Sequence, residues 1–414
     1  MGNGEIPTDE RRQVSVYRSA GLSISAFKPT IDTSTPLYTP TGTLITDAIG
    51  SLAASYSHTI AANGGYWSAS ITFSDTRSNM EEWLSQGLNR HIEVYGSELT
   101  KVWEGFVNQI TYSAGTLSAV MGPLMDISNR ASVVYTPILD ATISPPVLGV
   151  EQSTTIEDDD DSRALYGVLE SVLSQGQLLD DETTDEAAQI RDTFLAESAW
   201  PQSSEDLALG QSSEPSITLE CLGYVHRFSR YVVQDLTATT VQISNNAGTG
   251  KLQLAIAEDP NGMFPASYSK MENNGLLTSR YENTNRTAWD VMQQLVGVGD
   301  VNDDRYTLGV YNDRLVTYAP IPSDIEYQHR IGSSGMRFER YGSGQEIMPW
   351  NIRPARWSFL PDFLTGRSAS STMRRDPRNV FIEQVVYTAP WGIQISGNRI
   401  GRLDQKLAKL GMRG

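Results

Sequence analysis

The sequence predicts a mainly β chain of the α+β class, in which two antiparallel β-barrels carry an acidic, mostly helical insertion and a small α+β module. Three observations predict it. Apolar residues recur at every second position through much of 64–135, the period of strands whose side chains alternate between core and solvent. Turn residues separate these runs, as Ser113-Ala114-Gly115-Thr116 does, with Gly115 suited to a positive φ. The β-pattern then stops over 136–216 and again after Asp259-Pro260-Asn261-Gly262, where helical spacing takes over.

In chain order, residues 1–12 are polar and read as a flexible arm. The first barrel is assigned to 13–135, starting with VSVY, LSISAF and GTLITDAI, broken by Pro29, Pro36 and Pro40. Trp67, Ala69, Ile71 and Phe73 form one expected inward face; Ile92 with Val94, then Trp103, Val107, Ile110 and Tyr112, form others, and Leu117, Ala119 and Met121 follow the turn. SNMEEWLSQG interrupts them as a short helix, with a Ser78/Glu81 capping box, an apolar face at Trp83 and Leu84, and Gly87 as its stop, expected to plug a barrel end.

Residues 136–216 read as the acidic, mostly helical insertion. The run EDDDDS is expected to be a solvated linker, because adjacent acids repel. Ser162 is expected to cap a helix through Leu165, Val168, Leu169, Val172 and Leu173 that ends at Gly176, and Thr184 to start another through Ile190, Phe194 and Leu195. The second barrel is assigned to 217–257 with 327–390, and the module to 258–326: an amphipathic helix through Trp289, Met292, Leu295 and Val296, then a hairpin turning at Asn312-Asp313. A basic arm, 391–414, closes the chain.

A length of 414 residues implies two to four domains. No run approaches the roughly 20 apolar residues that cross a bilayer, and MGNGEIPTDERRQ has no apolar core of a secretory signal, so synthesis in the cytosol and no membrane span are expected. The single cysteine, Cys221, leaves no internal disulfide or multi-cysteine zinc site and reads as a small buried hydrophobe. The net charge of −17 argues against tight wrapping of nucleic acid, but it is uneven: 151–216 carry seventeen carboxylates against two arginines, whereas 327–414 carry fourteen Lys and Arg against six acids.

Signs of chemistry are sparse. Asp300, Asn302 and Asp304 have calcium-loop spacing, but Arg305 stands where glycine is needed and Tyr311 where the final glutamate belongs, which favours a turn entering the hairpin. AGTGKL around Lys251 lacks the glycine spacing and the Ser or Thr of a phosphate loop. His58, His91, His226 and His329 lie in four separate segments without paired-ligand spacing and read as packed or surface residues. Arg374, Arg375 and Arg378 form a basic patch, read as a solvated loop or, less favoured, a contact with an acidic partner or with nucleic acid. No catalytic residue, cofactor or metal is expected.

GYWSASITF leading into GLNRHIEVYG, then VWEGFVNQITYS and MGPLMDISNRASVVY, resembles the first barrel of tail-tip hub proteins of long-tailed bacteriophages. ITLECLGYVHRFSRYVV is similar to the strand opening their next unit, TAWDVMQQLVGVGDVNDDRYTLGVYNDRLVTYAPIPS to their inserted module, and MPWNIRPARW with DPRNVFIEQVVYTAPWGIQISG to their closing portion. The likeness runs in order through most of 13–405, with 136–216 outside it.

That resemblance implies two tail-tube-like barrels and a structural protein of the virion tail baseplate, made in the host cytoplasm. It implies a homo-oligomer, a trimer before a hexamer, whose barrels form a ring joining the tail tube to the tip. Implied partners are the distal tail protein or tail tube, the tape measure protein and tail fibre or tip proteins, with DNA passing an acidic lumen without specific binding. A distal tail or other minor tail ring protein is the alternative, and a cell-wall-degrading or glycan-binding tail component is an alternative of another class. Candidate subunit contacts are Asn89, Arg90 and Glu93 on the sheet, and Trp350, Trp357 and Trp391, since Trp and Arg are frequent interface anchors. Trp103 is expected to pack inside.

Overall fold

The computed structural model describes residues 12–14, 22–32, 37–39, 53–96, 100–179, 185–207, 214–233, 241–278, 286–332, 335–360, 364–365, 374–375, 378–389 and 392–397. Trp391, the arm at 1–11, most of the 391–414 arm and the GTLITDAI segment lie outside them. The chain is mainly β, as expected, with antiparallel sheets and a smaller helical share.

Its largest sheet has thirteen strands among the described residues. Nine form a continuous path: Arg12–Val14, Ser23–Phe27, His91–Tyr95, Lys101–Ala114, Ser216–Leu222, Gly64–Phe73, Ala53–Ala61, Gln384–Thr388 and Gly392–Ser396. The expected boundaries are redrawn by this order. Ser216–Leu222, assigned to the second barrel, is hydrogen-bonded on one side to Gly64–Phe73 and on the other to Lys101–Ala114, both assigned to the first. The 384–396 hairpin extends the same sheet along Ala53–Ala61. Alternation tells which face a residue takes but not which strand lies beside it.

Two bulges explain where simple alternation fails. Thr59 pairs with Ser68 but Ile60 with Tyr66, so Trp67 is the extra residue and turns to the opposite face from Ala69, Ile71 and Phe73. There its ring stands edge-on to His226, with 4.3 Å between centroids. Along the neighbouring strand, Val107 pairs with Cys221 but Gln109 with Glu220, so Asn108 is extra and Val107, Ile110 and Tyr112 all reach one core.

The sheet is therefore covered on both faces. One face carries the core of Ile71, Phe73, Trp103, Val107, Ile110, Leu219 and Cys221, sealed by the helix Arg77–Gln86 through Met80 and Trp83. That helix begins two residues earlier than the capping box implied: Thr76, not Ser78, is the N-cap and accepts from the Asn79 amide. The other face, through Phe106 and Trp67, meets a core built by Tyr224–Arg230, the helices Lys251–Ala257 and Ala288–Val298, and the hairpin Tyr306–Val310 with Val316–Pro320. Ala288–Val298 buries Val291, Met292, Leu295 and Val296, close to the expected stripe.

Two glycines permit the close approaches that join these parts. Gly65 has φ +75°, and a Cβ there would lie 2.3 Å from the carbonyl oxygen of Val310, whose strand begins a short parallel pairing with it. A Cβ on Gly223 would meet the Tyr66 carbonyl oxygen at 1.7 Å.

The acidic insertion is less helical than expected. Glu170–Leu179, read as the rest of a helix, is a strand parallel to Arg130–Asp140, because the helix Asp160–Tyr166 ends at Gly167 with φ +75°. The EDDDDS run is not a bare linker either. Asp158 pairs with Arg130 and Arg163 at 2.7 and 2.5 Å, and Asp159 caps the helix by accepting from the Ser162 amide. The second expected helix is present as Glu186–Ser198, capped by Asp185. A four-stranded sheet, ordered Gly335–Arg340, Ile325–Gly332, Trp357–Leu360 and Arg378–Phe381, completes the C-terminal part.

Candidate functional site

Where His91–Tyr95 runs beside Lys101–Ala114, the structure brings together His91, Glu93, Lys101 and Glu104, all nearly enclosed. The Lys101 ammonium lies 2.7 Å from Glu93 Oε1, 2.5 Å from Glu104 Oε2 and 2.8 Å from Asp313 Oδ1. Glu93 Oε2 accepts from the Tyr95 hydroxyl at 2.8 Å, and His91 Nδ1 is hydrogen-bonded to the Tyr224 hydroxyl at 2.7 Å. Glu104 has a second role. Its two oxygens accept the backbone amides of Asp313 and Arg314, at 2.9 and 2.7 Å. Both residues have positive φ, +60° and +58°, so the carboxylate holds the tip of the 306–320 hairpin in a left-handed turn.

The electrostatics follow from burial opposed by pairing. Burial would raise the Glu93 carboxyl, but His91 and Lys101 outweigh it and hold it below the ordinary carboxylate value. Burial would likewise lower the Lys101 ammonium, and Glu104 first, then Asp313 and Glu93, raise it above the ordinary lysine value. His91, Glu93 and Glu104 offer donor atoms within 4.8 Å of one another, a set that could hold a divalent cation. Lys101 puts its ammonium on two of those three donors, so the cluster is a closed ionic network with its own cation. That network ties strand to strand and both to the hairpin.

Of the expected interface residues, Asn89, Arg90, Glu93 and Trp350 are largely buried within their own chain, at 1, 2, 7 and 3% exposure, although Asn89 and Arg90 still contribute to the lining of a cleft. Asn89 has φ +64° and is fixed by the Arg227 guanidinium at 2.5 Å and by donating to the Leu165 carbonyl. Arg227 in turn lies over the Phe106 ring at 4.2 Å. Arg90 Nε donates to the Gln86 carbonyl at the end of the 77–86 helix, where a cation suits the helix dipole. Trp350 packs edge-on to Tyr387, and Trp357 is half-buried against Phe381. Trp103 is fully buried, as expected.

The remaining candidates are structural in place. The Asp300 carboxylate accepts the amides of Asn302 and Asp304, both at 2.8 Å, making the turn that enters the hairpin. Lys251 is buried at the start of its helix and Cys221 is enclosed between strands, where burial pushes its thiol up. His58 is fully enclosed, hydrogen-bonded to the Tyr56 hydroxyl, and burial lowers it to about 3. His329 packs on Phe338 and is lowered to about 4.

Sequence reasoning missed Lys101, Glu104 and Arg227. The signal for Glu104 was present: a lone carboxylate between Trp103 and Gly105 in the otherwise uncharged run Val102–Val107. Its partners are more than two hundred residues away, at Asp313 and Arg314.

A separate cleft of about 390 Å³ opens at the end of the 77–86 helix, walled by Leu88, Met121, Leu165, Tyr166 and Trp200, with Lys28 and Arg90 also lining it. No protein-family model matches the chain, and no curated protein matches it.

Proposed function

We propose that the chain is a structural hub protein of a bacteriophage tail tip, whose two β-rich units assemble as tail-tube-like barrels in a ring that joins the tube to the tip and lets DNA pass. The observation that carries this reading is the division of strands between the thirteen-stranded sheet, which gathers 12–114, 216–222 and 384–396, and a separate four-stranded sheet over 325–381, among the described residues. The helical unit and the acidic 130–200 unit stand on that framework as insertions. It is supported further by the ordered likeness of most of 13–405, with 136–216 outside it, to hub proteins. The buried networks at Glu93–Lys101–Glu104 and Asn89–Arg227 suit a scaffold, since they lock elements together.

With Glu93 and Trp350 enclosed, and Asn89 and Arg90 reaching the surface only at the lining of the cleft, further subunit contacts in this reading come from other surfaces. The end strands of the path, Arg12–Val14 and Gly392–Ser396, each have one neighbour in the sheet among the described residues and offer backbone edges for pairing across a ring.

Cryo-electron microscopy of the intact particle tests the proposal. Three copies at the junction of tube and tip are expected. Six copies would move the assignment to a distal tail ring, and a position away from the tail would overturn it. Release of soluble glycan fragments from cell wall by the purified protein would favour the hydrolase reading instead.

A further inference from the structure

The strand Arg130–Asp140 continues into a hairpin that returns through Val147–Leu148. Its tip, 139–150, reads LDATISPPVLGV, with Asp140 as its only charge. Large apolar side chains that a folded chain normally covers stand in solvent there: Leu139 is 63% exposed and Val150 85%, with Ile143, Val147 and Leu148 exposed between them. Five exposed large apolar side chains gathered in one short hairpin of an otherwise acidic unit suit a receiving surface.

The same chain carries one of matching character. The cleft beside the 77–86 helix is walled by Leu165, Tyr166 and Trp200, of which Leu165 and Trp200 are themselves exposed at 48 and 42%. Trp200 stands edge-on to Tyr166 at 6.3 Å, giving a broad aromatic wall. Lys28 is exposed at its lining, opposite in sign to Asp140 and to Glu151 just past the hairpin. We propose that the 139–150 hairpin of one copy docks in the Leu165–Trp200 cleft of another copy of this chain.

Such a contact is heterologous: two different patches meet, so an open assembly keeps a free hairpin at one end and a free cleft at the other until a ring closes. In this form the inference rests on the ring-forming reading above and names the surface that would build it. A lipid surface fits the hairpin less well. Residues 139–150 contain no Trp, Tyr, Lys or Arg to anchor at a headgroup layer, and acids follow at Glu151 and 157–161.

Sedimentation of the purified full chain tests the contact directly. Wild-type protein is expected to self-associate, and Leu148→Asp with Val150→Asp, or Trp200→Ala alone, to weaken association by about tenfold or more with unchanged circular dichroism. Asp140→Lys is expected to weaken it too, and Lys28→Glu added to the same chain to restore it. For position, Val150→Cys and Leu165→Cys proteins of different tag length are mixed with a bismaleimide; Cys221 is buried and stays silent. A cross-linked heterodimer is expected, and none when Leu277→Cys replaces Leu165→Cys. A monomeric wild type, association indifferent to both hairpin and cleft substitutions, or equal cross-linking at Leu277 overturns the proposal. So does hairpin-dependent flotation of monomer with phosphatidylcholine vesicles. Cross-linking as expected in a chain found away from the phage tail would keep this contact and remove the hub reading.

Discussion

The Lys101 ammonium lies 2.7 Å from the Glu93 carboxylate, with both side chains about nine-tenths buried. Glu104 and Asp313 complete its coordination, so one lysine bridges carboxylates from two adjacent strands and a hairpin two hundred residues away. Replacing only the cation leaves charges that the surroundings cannot solvate. Lys101→Met is expected to cost about 3–5 kcal/mol, read from urea midpoints, with Glu104→Gln in the same chain recovering part of the loss. A cost below 1 kcal/mol would mean the network is wetter than its geometry implies.

Shortening that lysine should also open the donor set. In Lys101→Ala, His91, Glu93 and Glu104 remain within reach of one another. Millimolar Mn²⁺ is therefore expected to raise the melting temperature of the variant while leaving the wild type unmoved. An equal response in the two proteins would place the ion elsewhere.

The buried histidine sets an acid limit. Burial lowers His58 to about 3, below its unfolded value of 6.5, so the unfolded chain binds its proton first. Stability is expected to be unaffected by this residue above pH 6.5 and to fall from there towards pH 3, by about 2 kcal/mol at pH 5. Glu93, lowered in the fold, adds its own loss only below its ordinary value of 4.5. Denaturation midpoints for wild type and His58→Gln between pH 7 and 5 separate the two, because the variant should be flatter over that window.

At the junction of sheet and hairpin, Gly65→Ala combines an unfavourable φ of +75° with a contact to the Val310 carbonyl oxygen. A loss of about 2 kcal/mol or more is expected from the two together. Gly115→Ala serves as the control. It shares a positive φ but has open space around its Cβ, so it should cost less by thermal unfolding.

Local signals made much of the fold legible. The helices Arg77–Gln86, Glu186–Ser198 and Ala288–Val298 and the hairpins at Gly115 and Asp313 are set by caps, turns and periods within a dozen residues. The rest depended on distant partners. Nothing near Ser216–Leu222 says that it lies between Gly64–Phe73 and Lys101–Ala114. Val168, Leu169, Val172 and Leu173 satisfy a helical stripe, yet the strand from Glu170 is fixed by pairing with Arg130–Asp140. Asn89, Arg90 and Glu93 look like surface residues because they are polar. Their partners, Arg227, the Gln86 carbonyl and Lys101, are what allow them to be buried.

The place of Ser216–Leu222 also orders events in time. Until residue 222 has left the ribosome, Gly64–Phe73 and Lys101–Ala114 lack the strand that both are built to hold, and the half-made sheet presents two long unpaired edges. Closing it requires bringing together segments separated by about a hundred residues or more of chain, which is slow compared with local hairpins. A nascent chain halted before that point is the form of this protein most exposed to aggregation, whatever it assembles into once complete.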